Sequence, residues 1–80
     1  MEIKILGTGC PNCRMLEKNI EMALEKSRAE AKIIKVTDIP IIMSYGIMST
    51  PGLVINNNVV SYGKVNSVDE IIKLIEENKE

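Results

Sequence analysis

Eighty residues with two cysteines, no histidine and a formal net charge of −1 leave room for one domain and remove much chemistry at once. Without histidine there is no Ser-His-Asp triad, no Cys-His nucleophile pair and no imidazole-ligated metal. Ten basic side chains against eleven acidic ones, with no Trp or Phe and only Tyr45 and Tyr62, provide neither an electrostatic footprint nor a stacking platform for nucleic acid.

The opening segment Met1-Glu2-Ile3-Lys4-Ile5-Leu6 carries charge within its apolar stretch. It lacks the long apolar core of a signal peptide, and no run approaches the roughly 18 apolar residues of a membrane span. A cytoplasmic protein that binds neither membrane nor nucleic acid is expected. In that setting two cysteines point to redox chemistry or metal binding rather than to a structural staple.

Ile3, Ile5 and Leu6 predict a first strand, closed by Gly7-Thr8-Gly9. Pro11 suits the first turn of a helix, where its missing N–H costs nothing. Leu16, Ile20, Ala23 and Leu24 then recur with helical spacing, so an amphipathic helix is predicted over about 11–28. Glu17, Lys18, Glu21 and Glu25 cover its other face. Ala31 to Val36, rich in β-branched residues, reads as a second strand, and strand–helix–strand in succession implies a right-handed crossover joining a parallel pair.

Asp38 can cap a short helix from about Ile39 to Tyr45, with Pro40 in its first turn and Gly46 at its end. After Thr50-Pro51-Gly52 come Leu53-Val54-Ile55, three asparagines and Val59-Val60-Ser61, the pattern of a hairpin whose loop is Asn56-Asn57-Asn58. Ser67-Val68-Asp69-Glu70 is a capping box, and Val68, Ile71, Ile72 and Ile75 form the apolar stripe of a last helix. The predicted order is β-α-β-α-β-β-α in one domain, 1–80. With no linker, repeat or low-complexity tract, every apolar face is needed for the core.

The chemistry concentrates at Cys10-Pro11-Asn12-Cys13, where the first strand gives way to the first helix. Side chains three apart on a helical turn lie about 5–6 Å apart at Cβ, within reach of a disulfide after slight adjustment. The free N–H groups and positive dipole end of a helix start stabilise a thiolate at Cys10. Cys13, one turn inward, is expected to be more buried and to act second. Cys10 would attack a substrate disulfide, and Cys13 would attack Cys10 and release the reduced substrate. Arg14 and Lys18 could add positive potential, but read as solvated surface. Three other readings of the pair stand beside this one: inert core thiols, a structural disulfide closing a very small loop, and a metal site with two thiolates from each of two chains.

Cys10-Pro11-Asn12-Cys13 after a first strand, with Tyr45-Gly46-Ile47 and Thr50-Pro51 before a third, resembles the thioredoxin superfamily, most of all its small thioredoxin/glutaredoxin-like redox-active disulfide proteins. The likeness runs through essentially the whole chain. It implies an α/β thioredoxin-like fold, a four-stranded mixed sheet with helices on both faces. It implies Cys10 as exposed nucleophile and Cys13 as resolving cysteine. Thr50-Pro51 matches the cis-proline loop, whose backbone pairs with an extended substrate, and an X-Pro bond is where a cis peptide is cheap. The dipeptide Pro11-Asn12 between the cysteines is expected to tune the reduction potential.

Gly9 stands where typical thioredoxins have Trp, and the Pro-first order is closer to the Cys-Pro-Tyr-Cys of glutaredoxin. Lys4, Thr50 and Asp69 are the nominees for a glutathione site, but each reads better as strand, loop or helix surface. Met43 and Met48 flank the groove and are expected to be core or half-buried filler; Tyr45 is expected to pack at the end of the second helix, and Gly63 to permit close backbone approach or simply to turn the chain. The expectation is a monomeric thiol–disulfide oxidoreductase without cofactor, acting on a protein disulfide or small thiol. A separate reductase or thiol would recycle it. The other class of function is a metal- or protein-binding module that uses the same pair without turnover.

Overall fold

Alternation along two short strands sorts the side chains of this protein to opposite sides of one sheet. In the computed structural model, which describes residues 1–78, β1 (Glu2–Leu6) and β3 (Gly52–Ile55) are the inner strands. Ile3, Ile5, Leu53 and Ile55 point to one face; Leu6 and Val54 point to the other. Because both faces are covered, all four residues of β3 are buried.

The complete order is β1, α1 (Pro11–Ser27), β2 (Lys32–Val36), α2 (Ile39–Ser44), β3, β4 (Asn58–Tyr62) and α3 (Val68–Glu77). The sheet runs β2-β1-β3-β4. β1 pairs parallel to β2, with Ile5 beside Lys35, and antiparallel to β3, with Leu6 beside Gly52. β4 pairs antiparallel to β3, with a bulge between Leu53 and Val54. This is the element order predicted from the residue pattern and the mixed four-stranded α/β sheet that the resemblance implies.

α1 and α3 pack together on the first face, where Leu16, Ile20, Ala23, Ile71 and Ile75 join the strand residues in the larger core. Each fully buried Leu or Ile there contributes about 1.5–3 kcal/mol. α3 begins with the full capping box: the Ser67 hydroxyl accepts from the Glu70 N–H while the Glu70 carboxylate accepts from the Ser67 N–H, both at 3.2 Å. On the second face α2 covers a smaller cluster of Leu6, Ile42, Ile47 and Val54, with Tyr45 packed against it. Asp38 caps α2 through the Ile41 N–H.

Three local expectations are corrected. β2 starts at Lys32 rather than Ala31, where the Lys32 N–H reaches the Met1 carbonyl. The hairpin loop is Asn56-Asn57 alone, both with positive φ, because Asn58 pairs with Ile55 as the first residue of β4. A two-residue turn left-handed at both positions matches the twist of its strands better than a longer loop. Met43 and Met48 are not filler: they are 68% and 91% exposed. The one buried side chain of α2 is Ile42, so a helix this short has no second apolar position to offer Met43.

Candidate functional site

β1 ends at Leu6, and the loop Gly7-Thr8-Gly9 turns the chain directly into α1. Gly9 has φ +88°, a left-handed conformation that suits glycine. Cys10 is the N-cap of α1, with extended backbone, and Pro11 occupies the first turn. The position that commonly holds Ser, Thr, Asp or Asn is filled here by a thiol. Its sulfur accepts a hydrogen bond from the Cys13 N–H at 3.3 Å.

The two cysteines are free thiols whose Sγ atoms lie 2.6 Å apart. Cys10 is half-buried and Cys13 buried, at 6% exposure. The difference is also electrostatic. The thiol of Cys13, and next its backbone N–H, donate to Cys10 and hold the Cys10 thiol below the ordinary range. Burial pushes the Cys13 thiol up, and its hydrogen bond to Cys10 adds to the rise. One sulfur is therefore disposed to be a thiolate and its neighbour to keep a proton.

Gly7 makes this proximity possible. A Cβ at Gly7 would collide with the Cys13 sulfur, so only a glycine lets β1 end against that thiol. The Thr50 side chain also comes near that Gly7 position, and the Thr50–Pro51 peptide bond is cis. Pro51 is buried and Thr50 exposed. Gly63, with φ +72°, donates its N–H to the Pro51 carbonyl at 2.9 Å, and a side chain there would strike the Ser49 hydroxyl. The loop that carries Thr50 and Pro51 is thus held from behind by the end of β4. Pro11 and Asn12 are exposed on the first turn of α1.

Of the remaining nominees, Lys4 is half-buried on β1 and Asp69 is exposed on α3. Lys4 reaches the Tyr45 hydroxyl at 3.2 Å, and Asp69 pairs with Lys26 at 3.4 Å with both side chains well exposed. Arg14 and Lys18 are exposed on α1. Two participants had no place in the sequence reading of the site. A cavity of about 300 Å³ next to Cys13 is lined also by Glu17 and Lys35, which form an ion pair at 3.0 Å. Glu17 follows Cys13 by one helical turn, a legible spacing, but Lys35 enters only through the register of β2 on β1. Among the described residues no three His, Cys, Asp or Glu side chains group as a metal site.

A four-stranded mixed sheet with a Cys-x-x-Cys pair at the start of the first helix and a cis-proline immediately before β3 defines a thioredoxin-like redox protein. The chain belongs to the thioredoxin family, since the model of that family described as a thioredoxin domain matches residues 1–76. It is 37% identical over 75 residues to a thioredoxin of Methanothermobacter thermautotrophicus, covering 94% of this chain and 97% of that one. To a thioredoxin of Methanocaldococcus jannaschii it is 41% identical over 69 residues, covering 86% and 79%. A solved structure described as that of a malarial protein superimposes with a TM-score of 0.67 at 16% identity, over 95% of this chain and 93% of the other, and so shares the fold.

Proposed function

We propose that this protein is a thiol–disulfide oxidoreductase in which Cys10 attacks and Cys13 resolves. The observation that carries the reading is the asymmetry of the pair. The half-buried Cys10 sulfur caps α1 and is held toward thiolate, while the Cys13 sulfur lies buried 2.6 Å away and keeps its proton. Thiolate is the attacking species, so Cys10 opens a substrate disulfide and becomes joined to one of its sulfurs. Cys13 then attacks Cys10, the Cys10–Cys13 disulfide forms, and the second substrate thiol leaves. Two electrons have passed to the substrate, and no bound cofactor enters either step.

Thr50 and Pro51 are the residues against which an extended substrate would lie: the Thr50 side chain comes near the space at Gly7 that the Cys13 sulfur fills, and the cis bond joins Thr50 directly to the buried Pro51. Pro11 and Asn12 set the local backbone between the sulfurs and thereby the balance between dithiol and disulfide. The substrate is a protein disulfide or a small-molecule one, and a separate reductase or small thiol returns the pair to the reduced state. The test is to compare Cys10→Ser with Cys13→Ser on a small disulfide and a disulfide-bonded protein. Cys10→Ser should abolish reduction, and Cys13→Ser should accumulate a mixed disulfide visible by intact mass. Full activity in both variants would overturn the reading.

A further inference from the structure

The second step leaves one proton unaccounted for. Cys13 is buried, and burial keeps its thiol protonated. In the mixed disulfide the Cys10 sulfur is covalently bonded and no longer a thiolate, so it cannot take that proton. Cys13 must lose it to something else as it attacks.

The cavity of about 300 Å³ beside Cys13 has room for several waters at about 30 Å³ each. The charged groups on its wall are Arg14 and Glu17 from α1 and Lys35 from β2; the loop from β1 contributes Gly7, Thr8 and Gly9, none of them charged. Arg14 and Lys35 are cations and have no lone pair to offer. Among the described residues lining the cavity, Glu17 is therefore the one carboxylate. It stands four residues after Cys13, on the same face of α1. Its side chain is 23% exposed, against 62% for Lys35, whose ammonium bonds it at 3.0 Å. Lys35 reaches this position because β2 runs parallel to β1 with Lys35 beside Ile5, another residue of the cavity wall.

We propose that Glu17 is a positioning residue for proton movement: its carboxylate, held by Lys35, accepts through cavity water the proton that Cys13 gives up when it attacks the mixed disulfide. This rests on the two-step reading above. The step balances. The Cys13–Cys10 bond forms as the Cys10–substrate bond breaks, its electron pair leaves on the substrate sulfur, and the Cys13 proton passes to Glu17 and on to the departing thiolate or bulk water.

The sign of the effect separates this role from a bystander charge. A carboxylate that acted only through its negative field would oppose ionisation of Cys13, so neutralising it would speed resolution. A proton acceptor, once removed, slows it. The experiment is stopped-flow reaction of the reduced protein with 5,5′-dithiobis(2-nitrobenzoate), in which attack by Cys10 releases one thionitrobenzoate and resolution by Cys13 releases the second. In Glu17→Gln the first phase should match the wild type. The second should slow by about 10²-fold near neutral pH, the lower range for a lost general base, and recover as pH rises. A second phase that is unchanged, faster, or slowed equally at every pH overturns the proposal. Cys13→Ser in the same assay should release one equivalent. If it releases two with wild-type phases, the two-step reading has failed independently of Glu17.

Discussion

The backbone N–H of Cys13 donates to the sulfur of Cys10, so the thiol that faces solvent is also the N-cap of α1. One atom thus closes the helix start and stands ready for chemistry. The two roles come apart on substitution. Serine is a favoured N-cap, so Cys10→Ser should fold as stably as the reduced wild type while reducing no disulfide. Cys10→Ala leaves a helix N–H unpaired and should lose about 1 kcal/mol. Urea denaturation of the two variants under reducing conditions, beside the reduced wild type, checks both outcomes.

Gly7 is the backbone counterpart of this arrangement. Its missing side chain is the space in which the Cys13 sulfur sits, and its own N–H is already committed to the Val36 carbonyl at 2.9 Å. Gly7→Ala inserts a methyl group against a buried thiol between a fixed strand end and a helix. Overpacking of this kind costs about 1–3 kcal/mol. The Cys13 side chain is the one able to swing away, so Gly7→Ala should also slow closure of the Cys10–Cys13 disulfide. Denaturant melts of the reduced variant measure the first effect, and quenched oxidation followed by mass spectrometry the second.

Most of the fold was legible because its elements announce themselves locally. Ile3 and Ile5 alternate with Lys4, Leu16 and Ile20 repeat at helical spacing, and Ser67 with Glu70 mark a helix start. The Cys-x-x-Cys pair and its place at the head of α1 were equally plain. What stayed hidden depends on approach between distant segments. Gly7 reads as a strand-closing glycine until α1 brings the Cys13 sulfur against it, a contact that no local pattern encodes. Glu17 looks like one more charge on a solvated face until the β1–β2 register delivers Lys35 beside it. The exposure of Met43 escaped for a different reason: a helix of six residues with one buried side chain is too short for periodicity to distinguish its faces.

The capping box of α3 supplies a prediction away from the sulfurs. Ser67 and Glu70 satisfy one another's backbone N–H groups, and Lys64 bonds the Glu70 carboxylate at 2.8 Å. Ser67→Ala should cost about 1 kcal/mol, as loss of an N-cap oxygen does. The hydrogen bond from Lys64, and next the Ser67 N–H, hold the Glu70 carboxyl below the usual carboxylate range. Its contribution is therefore present above the pKa of an unfolded glutamate and lost as pH falls through the lower folded value. In Lys64→Met the Glu70 carboxyl should titrate at higher pH, a shift that carbon-detected NMR of the side-chain carboxyls reads directly.

The opposite displacements of the two thiols make the stability of the reduced protein depend on pH with opposite signs on either side of the ordinary thiol value. Cys10, lowered by the Cys13 thiol and N–H, contributes stability that is present above its unfolded pKa and lost as pH falls through its folded one. Cys13, raised chiefly by burial, contributes stability that is present below its unfolded pKa and lost as pH rises toward its folded one. Single variants isolate the two limbs. In Cys13→Ala the backbone N–H still favours the Cys10 thiolate, so stability should rise with pH through the window just below the ordinary thiol pKa. The alkylation midpoint of Cys10 in that variant should move up from the wild-type value, because the larger of its two hydrogen bonds is gone. In Cys10→Ser the burial of Cys13 persists, and stability should decline with pH through the window just above the ordinary value. Urea midpoints at a series of pH values, with iodoacetamide rates on the same samples, decide the matter. Parallel slopes in the two variants would show that the asymmetry of the pair does not extend to the folded-state titration of the separate thiols.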